Sequence, residues 1–582
     1  MAPSILWFRR DLRLDDHQPL QECCRLGAVL PLFVLDPALL QHPETGSGRV
    51  AFLLEALAAL DQDLRRRGGR LLVRRGDPME VLPALASACG VRRVFAHSDS
   101  ERILGRVRDA RVDRALRRRG VAMHWFEPAG ACAELVPYPH WRHLWQAAMA
   151  GEAAAAPRRV WVPPPLGGAN DPLADQPLPG LRELGLNPTQ IVLPPAGHGA
   201  ALDLLQRFVA GPAAERYFWQ LSQPAARVTT GLSPYLKFGV ISPRRCLQGI
   251  APLAHGDGGQ RRSWLQLASR LRWGCGMAQR FRYLPQLELR SLWACHEDPQ
   301  AEDLSAHQQE LLAAWQEGRT GFPIVDAAAR CLRASGGWQE LNFRSRAISA
   351  SFLTHLCGID WRWGALHYMR HLLDGDCTID HYQWAMQAGA TLPGAEAWAR
   401  IYHPGRVAQQ RCDPQGLFIR RWLPELAGLT NDQLAEPPAM ADYPAPVLDY
   451  HDARRHRLTA LEERRARERE RLATADPADA DALLRLQLAD LSTLPARPIP
   501  FAAHLFPEAP LAWCEAEQEL RPAAIDPARL DGPQRLALAS WISPASGPRG
   551  GSQRGSRGKR GKNGNNRING DATQQLELWP QA

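Results

Sequence analysis

Over the first 135 residues, short apolar runs alternate with longer amphipathic stretches. Ile5–Phe8, Ala28–Leu35, Arg70–Val73 and Val94–Ala96 are compact and apolar, with turns beside them, the pattern of buried strands. Between them, Ala51–Arg66, Met79–Ala88 and Val107–Arg119 repeat apolar residues at helical spacing. This alternation predicts a Rossmann-like α/β domain with a parallel sheet over 1–135. Residues 136–199 turn rich in Pro, Ala and Gly (VPPPLGGANDPLADQPLPGL) and predict an interdomain linker. Helical spacing then dominates 200–470, which predicts an all-helical domain. Residues 471–545 carry further helical stretches of no assignable role. The tail 546–582 (SGPRGGSQRGSRGKRGKNGNNRING at its start) is too poor in apolar residues to fold alone and predicts disorder.

Composition changes this picture in three respects. At 582 residues the chain can bury two sizeable cores. Its net charge of +9 favours an anionic partner, and the basic tail predicts non-specific attraction to nucleic acid. The 12 cysteines include no CxxC pair and no zinc-like Cys/His spacing, so no metal is expected, although an iron–sulfur centre stays open. The N-terminus has no signal-like apolar core and no run resembles a membrane span, so a cytoplasmic, monomeric protein is expected.

The stretch from Trp338 to Gln387 holds the candidate chemistry. Leu341–Cys357 has helical spacing, with small residues where a flat group can lie close. Arg344 and Arg346, two apart, point to different sides of that helix. Asp360 is placed to cap a second helix, and Asp374-Gly375-Asp376 then sets two carboxylates in a turn. A buried arginine needs such a carboxylate. Trp361 and Trp384 lie on separate helical segments. Taken alone, each of these fits a helical core with a structural ion pair and packing tryptophans.

Together they resemble the flavin-binding core of the photolyase/cryptochrome family, in which an Arg–Asp pair and a DGD turn flank the flavin and tryptophans relay electrons to it. Asp413–Leu426 (DPQGLFIRRWLPEL) is similar to the family's D-P-x-G-x-[FY]-I-R-x-W-L-P-E-L pattern, and Trp7–His17 (WFRRDLRLDDH) to its W-F-R-x-D-L-R-x-x-D-N start, with His17 in place of Asn. Thr229–Ser242 resembles its T-S-x-L-S-P-Y-L-x-x-G-x-[IL]-S phosphate motif, where Ser233-Pro234 and Ser242-Pro243 each read as a helix start.

The resemblance implies FAD as cofactor. It assigns cofactor contacts to Tyr217, Thr229, Thr230, Leu232, Ser233, Arg346, Asp374, Gly375, Asp376 and Asp380, and electron transfer to Trp384 and Trp361. A third relay tryptophan has two imperfect candidates, Trp293 and Trp315. Folate-antenna contacts are not supported, because Leu104-Gly105 precede the Arg106–Asp109 stretch; another antenna, or none, stays open. Asp380 stands where photolyases carry Asn and plant cryptochromes Asp; a buried acid there can donate a proton to the flavin.

The implied substrate pocket (Arg270, Trp273, Phe343, Arg344, Met386) departs from the repair pattern. Arg270 replaces a dimer-contacting Glu, Phe343 an Asn, and Met386 a dimer-stacking Trp. Two functions follow. One is blue-light repair of pyrimidine dimers in damaged DNA, double- or single-stranded. The other is a cryptochrome-like photoreceptor without repair activity. A flavin-bearing DNA-binding protein without photochemical output is a third reading.

Overall fold

In the computed structural model, the described residues are 2–542 apart from 101, 169–170, 289–290, 292, 297–302, 392–399, 477 and 489–529. The tail and much of the 471–545 extension therefore lie outside the described residues.

Five strands, β1 (Ser4–Phe8), β2 (Val29–Leu35), β3 (Leu72–Arg75), β4 (Arg93–His97) and β5 (Ala122–Phe126), form one parallel sheet in the order β3-β2-β1-β4-β5. Helices α1 (Gln18–Leu26), α2 (Pro37–Leu40), α3 (Ser47–Arg65), α4 (Pro78–Ala88) and α5 (Arg102–Arg117) connect them. The central strands β1 and β2 are buried at every position, which is why they read as unbroken apolar runs. β5 escaped the sequence reading because its residues alternate between exposed and half-buried at the sheet edge. In such sheets the crevice beyond the carboxyl ends of the strands, where strand order reverses, receives ligands. Here that point lies between β1 and β4, and the loops after them carry Arg9–Asp11 and Ser98–Asp99.

The stretch read as a linker contains α6 (Tyr138–Ala150), whose Tyr138, Trp141, Trp145 and Met149 make one buried face. The helical domain follows with α7 (His198–Ala210), α8 (Ala213–Gln220), α9 (Ser233–Lys237), α10 (Pro243–Ile250) and the long α11 (Gly258–Tyr283). Next come α12 (Ala306–Glu317), α13 (Pro323–Ser335), α14 (Phe343–Ser351), α15 (Trp361–His371) and α16 (Cys377–Gln387). Short helices α17 (Pro404–Val407), α18 (Leu417–Trp422) and α19 (Asn431–Ala435) precede α20 (Tyr450–Leu472). No helix among the described residues is long and apolar enough to cross a membrane.

Local chemistry fixes the ends of the central helices. Asn342 caps α14 by accepting from the N–H groups of Arg344 and Ser345 at 3.1 and 3.0 Å. α14 runs to Ser351 and continues without a break into a π-helical turn, Phe352–Leu356, so the predicted helix is one run with a wider last turn. Asp360 caps α15 as expected, and Asp376 caps α16 through Thr378. Ser242 caps α10 through Arg245 N–H, but Ser233 does not cap α9. It is the first residue within that helix and its hydroxyl stays exposed.

Candidate functional site

Two cavities meet in the helical domain. One, of about 740 Å³, runs from the β1–β4 crevice to the Asp374–Asp376 turn; the other, of about 1060 Å³, lies among α6, α11, α14 and α16. Arg270, Arg346, Asp380 and Gln383 line both and mark the junction. Volumes of this size accommodate a large cofactor with a substrate beside it.

Arg346 reaches across from α14 to the turn before α16, with its Nη2 3.3 Å from each oxygen of Asp374. Arg344 takes a different side, as the spacing predicted, and lines only the larger cavity. Gly375 is boxed in: a Cβ there would lie 2.5 Å from Arg49 Nη1. Asp376 is held from the α/β domain, accepting from Arg10 Nη1 at 2.7 Å with Lys237 Nζ 3.9 Å away. Burial works to raise its pKa, but Lys237 and Arg10 hold the carboxylate well below the usual range.

Asp380 sits one turn into α16, buried, and Asp376 rather than Asp380 caps the helix. Burial pushes its carboxyl up to about 7, against the pull of His381 and Arg346. Among the described residues its Oδ2 has no hydrogen-bond partner, which leaves a buried polar atom at the cavity junction. The next residue, His381, faces away: its Nε2 lies 3.0 Å from Glu44 of the α/β domain. Burial opposes protonation of His381, but Cys377 and Glu44 raise its pKa well above the ordinary value.

Tyr217 is buried on α8 against Phe208, and burial raises its phenol pKa. Thr229 and Thr230 are half-buried in the loop before α9, with Thr230 Oγ1 accepting from Leu232 N–H at 3.3 Å. Between them and α9, Gly231 takes φ +71°, and its carbonyl accepts from Trp338 Nε1 at 2.9 Å. Leu232 is buried beneath this loop, and Ser233 lines the smaller cavity.

Trp384 and Trp361 are both buried, and Trp384 lines the larger cavity. Trp384 meets Tyr368 and Trp315 edge-on at 5.0 and 5.9 Å, while Trp361 lies edge-on to His381 at 5.9 Å. Trp315 and Trp293 are only 1% and 2% exposed, so neither is an exposed end of a relay. Trp273, Phe343, Arg344 and Met386 all line the larger cavity, which brings the expected substrate residues together.

Sequence reading missed Arg10, Lys237, Glu44, His381 and Tyr368. Arg10, Glu44 and His381 act across the domain boundary, where sequence distance hides the pairing, and Lys237 meets Asp376 within the helical domain. The opening motif was the available signal for Arg10. His17, the departure in that motif, caps α1: its Nδ1 accepts from Leu20 N–H at 3.1 Å, which leaves the proton on Nε2, 2.9 Å from Asp11.

A five-stranded parallel sheet joined to a helical domain with a deep double cavity places the chain in the doubly wound α/β class, with a site large enough for a cofactor. Residues 4–129 match the DNA photolyase family model, and 267–463 match the model for the FAD binding domain of DNA photolyase. A deoxyribodipyrimidine photo-lyase of Synechococcus is 33% identical, over 79% of this chain and 96% of its own. Cryptochrome-1 of Arabidopsis thaliana is 29% identical, over 79% of this chain and 70% of its own. A bacterial class III photolyase structure from Agrobacterium tumefaciens superposes with a TM-score of 0.67 at 26% identity, covering 80% of this chain and 98% of that one. The chain belongs to the photolyase/cryptochrome family, and its cofactor is FAD.

Proposed function

We propose that this protein repairs UV-induced pyrimidine dimers in DNA, using light absorbed by reduced FAD. The observation that carries this reading is the larger cavity. Its wall joins the cofactor cavity through Arg346 and Asp380, and its cationic side chains include Arg142, Arg261, Arg270, Arg272, Arg344 and Arg400. Among the described residues, Asp380 is the only carboxyl group on that wall. Phe218, Trp219, Trp264, Trp273 and Phe343 lie among these arginines, and Trp219 is 59% exposed with Arg262 stacked 4.8 Å over it. Interleaved guanidinium and aromatic groups suit an unstacked nucleic-acid segment, such as a dinucleotide flipped out of a duplex.

When bound, FAD supplies the light-excited electron donor. Tyr217, Thr229, Thr230 and Ser233 are the groups for its phosphates, with Leu232 packing beneath. The Arg346–Asp374 pair and Gly375 hold the ring end, where a fixed guanidinium balances added negative charge. Asp376 anchors the turn to the α/β domain. Trp384, with Trp361 behind it, serves electron entry. Asp380 holds a proton near neutral pH and presents it at the junction. The unpartnered Oδ2 and the shared lining support placing the flavin there.

At the carboxyl ends of β1 and β2 a third cavity measures only about 120 Å³, with Arg9 and Arg108 stacked 4.9 and 5.4 Å over Trp7. That is below the roughly 300–1,000 Å³ of a ligand site, so this cavity by itself lends no support to an antenna chromophore there.

The test is loss of cyclobutane dimers from DNA under blue light against darkness, with photoreduced protein. Light-dependent turnover on double- or single-stranded DNA establishes repair. Asp380, with a carboxyl near neutrality, and Met386 in place of a stacking Trp favour a second reading, a photoreceptor without repair. Absence of repair with intact flavin photoreduction makes that reading the better one.

A further inference from the structure

Phe343, the first residue of α14, has two guanidinium groups against its ring. Arg270 Cζ is 4.7 Å from its ring centroid and Arg344 Cζ is 5.1 Å from it. Arg270 comes from α11 and Arg344 from α14, and both face the larger cavity. Among the described residues, neither side chain has a hydrogen bond or an ion pair, and Arg344 Nε is buried with no partner. Burial depresses the Arg270 pKa, and the like charge of Arg344 adds to that effect against Tyr217. Both arginines are half-buried, and cation–π contact with one phenyl ring offsets only part of the cost of desolvating them. The arrangement is thus incomplete without an anion.

We propose that Arg270 and Arg344 form a two-guanidinium clamp for a nucleic-acid backbone phosphate carried into the cavity, with Phe343 as the spacer that sets their separation. The inference rests on the DNA reading above and names how that substrate is held. Guanidinium donates and never accepts, and phenyl does neither, so positions 270 and 343 have no acceptor for a pyrimidine imide N–H. Both arginines suit the oxygens of a phosphate, where planar, charge-assisted pairing is strongest. Two adjoining nucleotides entering the cavity bring with them the one phosphate that links them. Recognition at this end of the pocket therefore goes to backbone charge rather than to base edges.

The test is equilibrium binding, in the dark, of the FAD-loaded protein to an oligonucleotide carrying one thymine dimer. The linkage inside the dimer is either a phosphodiester or an uncharged methylphosphonate. The unaltered protein is expected to bind the neutral linkage about tenfold more weakly, the size of a charge-assisted hydrogen bond. Arg270→Ala is expected to lose a similar factor on the phosphodiester, to discriminate little between linkages, and to lower the salt slope by about 1. Arg270→Lys is expected to regain part of the discrimination. Equal losses on both linkages in Arg270→Ala overturn the clamp while leaving the DNA reading intact. Loss of FAD from Arg270→Ala, with its helical signal retained, assigns the arginine to the cofactor phosphates and also overturns it. Failure of the unaltered protein to bind either oligonucleotide overturns both the clamp and the DNA reading.

Discussion

Trp384 occupies the space where a side chain at Gly364 would begin. A Cβ built on Gly364 would lie 2.3 Å from Trp384 Cη2 and Cζ3, so the indole of α16 packs directly on the backbone of α15. Close approach of this kind requires glycine, and it fixes the indole on the cavity wall. Gly364→Ala is expected to force the ring or the helix to shift, costing about 1–3 kcal/mol in urea unfolding. It should also slow flavin photoreduction, read from the loss of oxidised-flavin absorbance under blue light. Trp384→Phe, which fits the same space, should abolish photoreduction with little loss of stability. Unchanged photoreduction in Trp384→Phe removes Trp384 from the relay.

Asp380 gives stability a pH dependence of defined sign. Its folded-state pKa of about 7 lies above the ordinary 3.8, so between those values the folded protein holds a proton that the unfolded chain has released. Stability therefore falls as pH rises from about 4 to 7, by at most roughly 4 kcal/mol, and stays low above that. Asp380→Asn removes this slope. Chemical unfolding of the apoprotein at pH 5 and pH 8 should show the variant gaining on the parent at pH 8. A parallel pH dependence in both proteins would mean that Asp380 ionises normally.

Much of this site was legible in the sequence because its parts are local. Asp360 and Ser242 cap the helices they precede, and Arg346 and Asp374 meet across one helix–turn step. Ser233 misled because a Ser-Pro pair fits N1 as well as the cap position, and only the backbone of Leu232 decides between them. The α6 helix was hidden because its buried face is made of aromatics beside prolines, a composition that reads as loop. Arg10, Glu44 and His381 were out of reach for another reason. They pair across more than 300 residues, and no periodicity records such a contact.

Arg10 is the clearest of these long-range links. It joins Asp99, after β4, to Asp376, at the start of α16, with contacts of 2.5 and 2.7 Å. Burial alone would raise both acids. Arg10 holds Asp99 at about 2, and with Lys237 it keeps Asp376 lower still. Their contribution to stability is full above pH 4 and is lost as pH falls through those depressed values. Arg10→Ala takes from Asp99 its main partner and leaves Asp376 with Lys237 alone of its two cations. It is expected to cost about 3–5 kcal/mol and to move acid unfolding to higher pH. Because Asp376 anchors the turn that carries Asp374, FAD content after gel filtration should fall as well. A loss of stability with full retention of FAD would limit Arg10 to joining the domains.

Met386 tests how far the pocket has moved from the repair pattern. It lines the larger cavity together with Trp384 and Trp273. A thioether there offers adaptable packing but no flat face, so a pyrimidine dimer can stack on one side only. Met386→Trp supplies the second face. Base–aromatic stacking is worth about 1–3 kcal/mol per base, so dimer-containing oligonucleotides should bind roughly 5- to 100-fold more tightly, with undamaged strands much less affected. If repair occurs, its rate at low DNA concentration should rise with that affinity. Tighter binding without any light-dependent dimer loss would locate the deficit in electron delivery rather than in substrate capture. Equal gains for damaged and undamaged strands would mean that the cavity binds unstacked bases in general and that selectivity for lesions arises elsewhere.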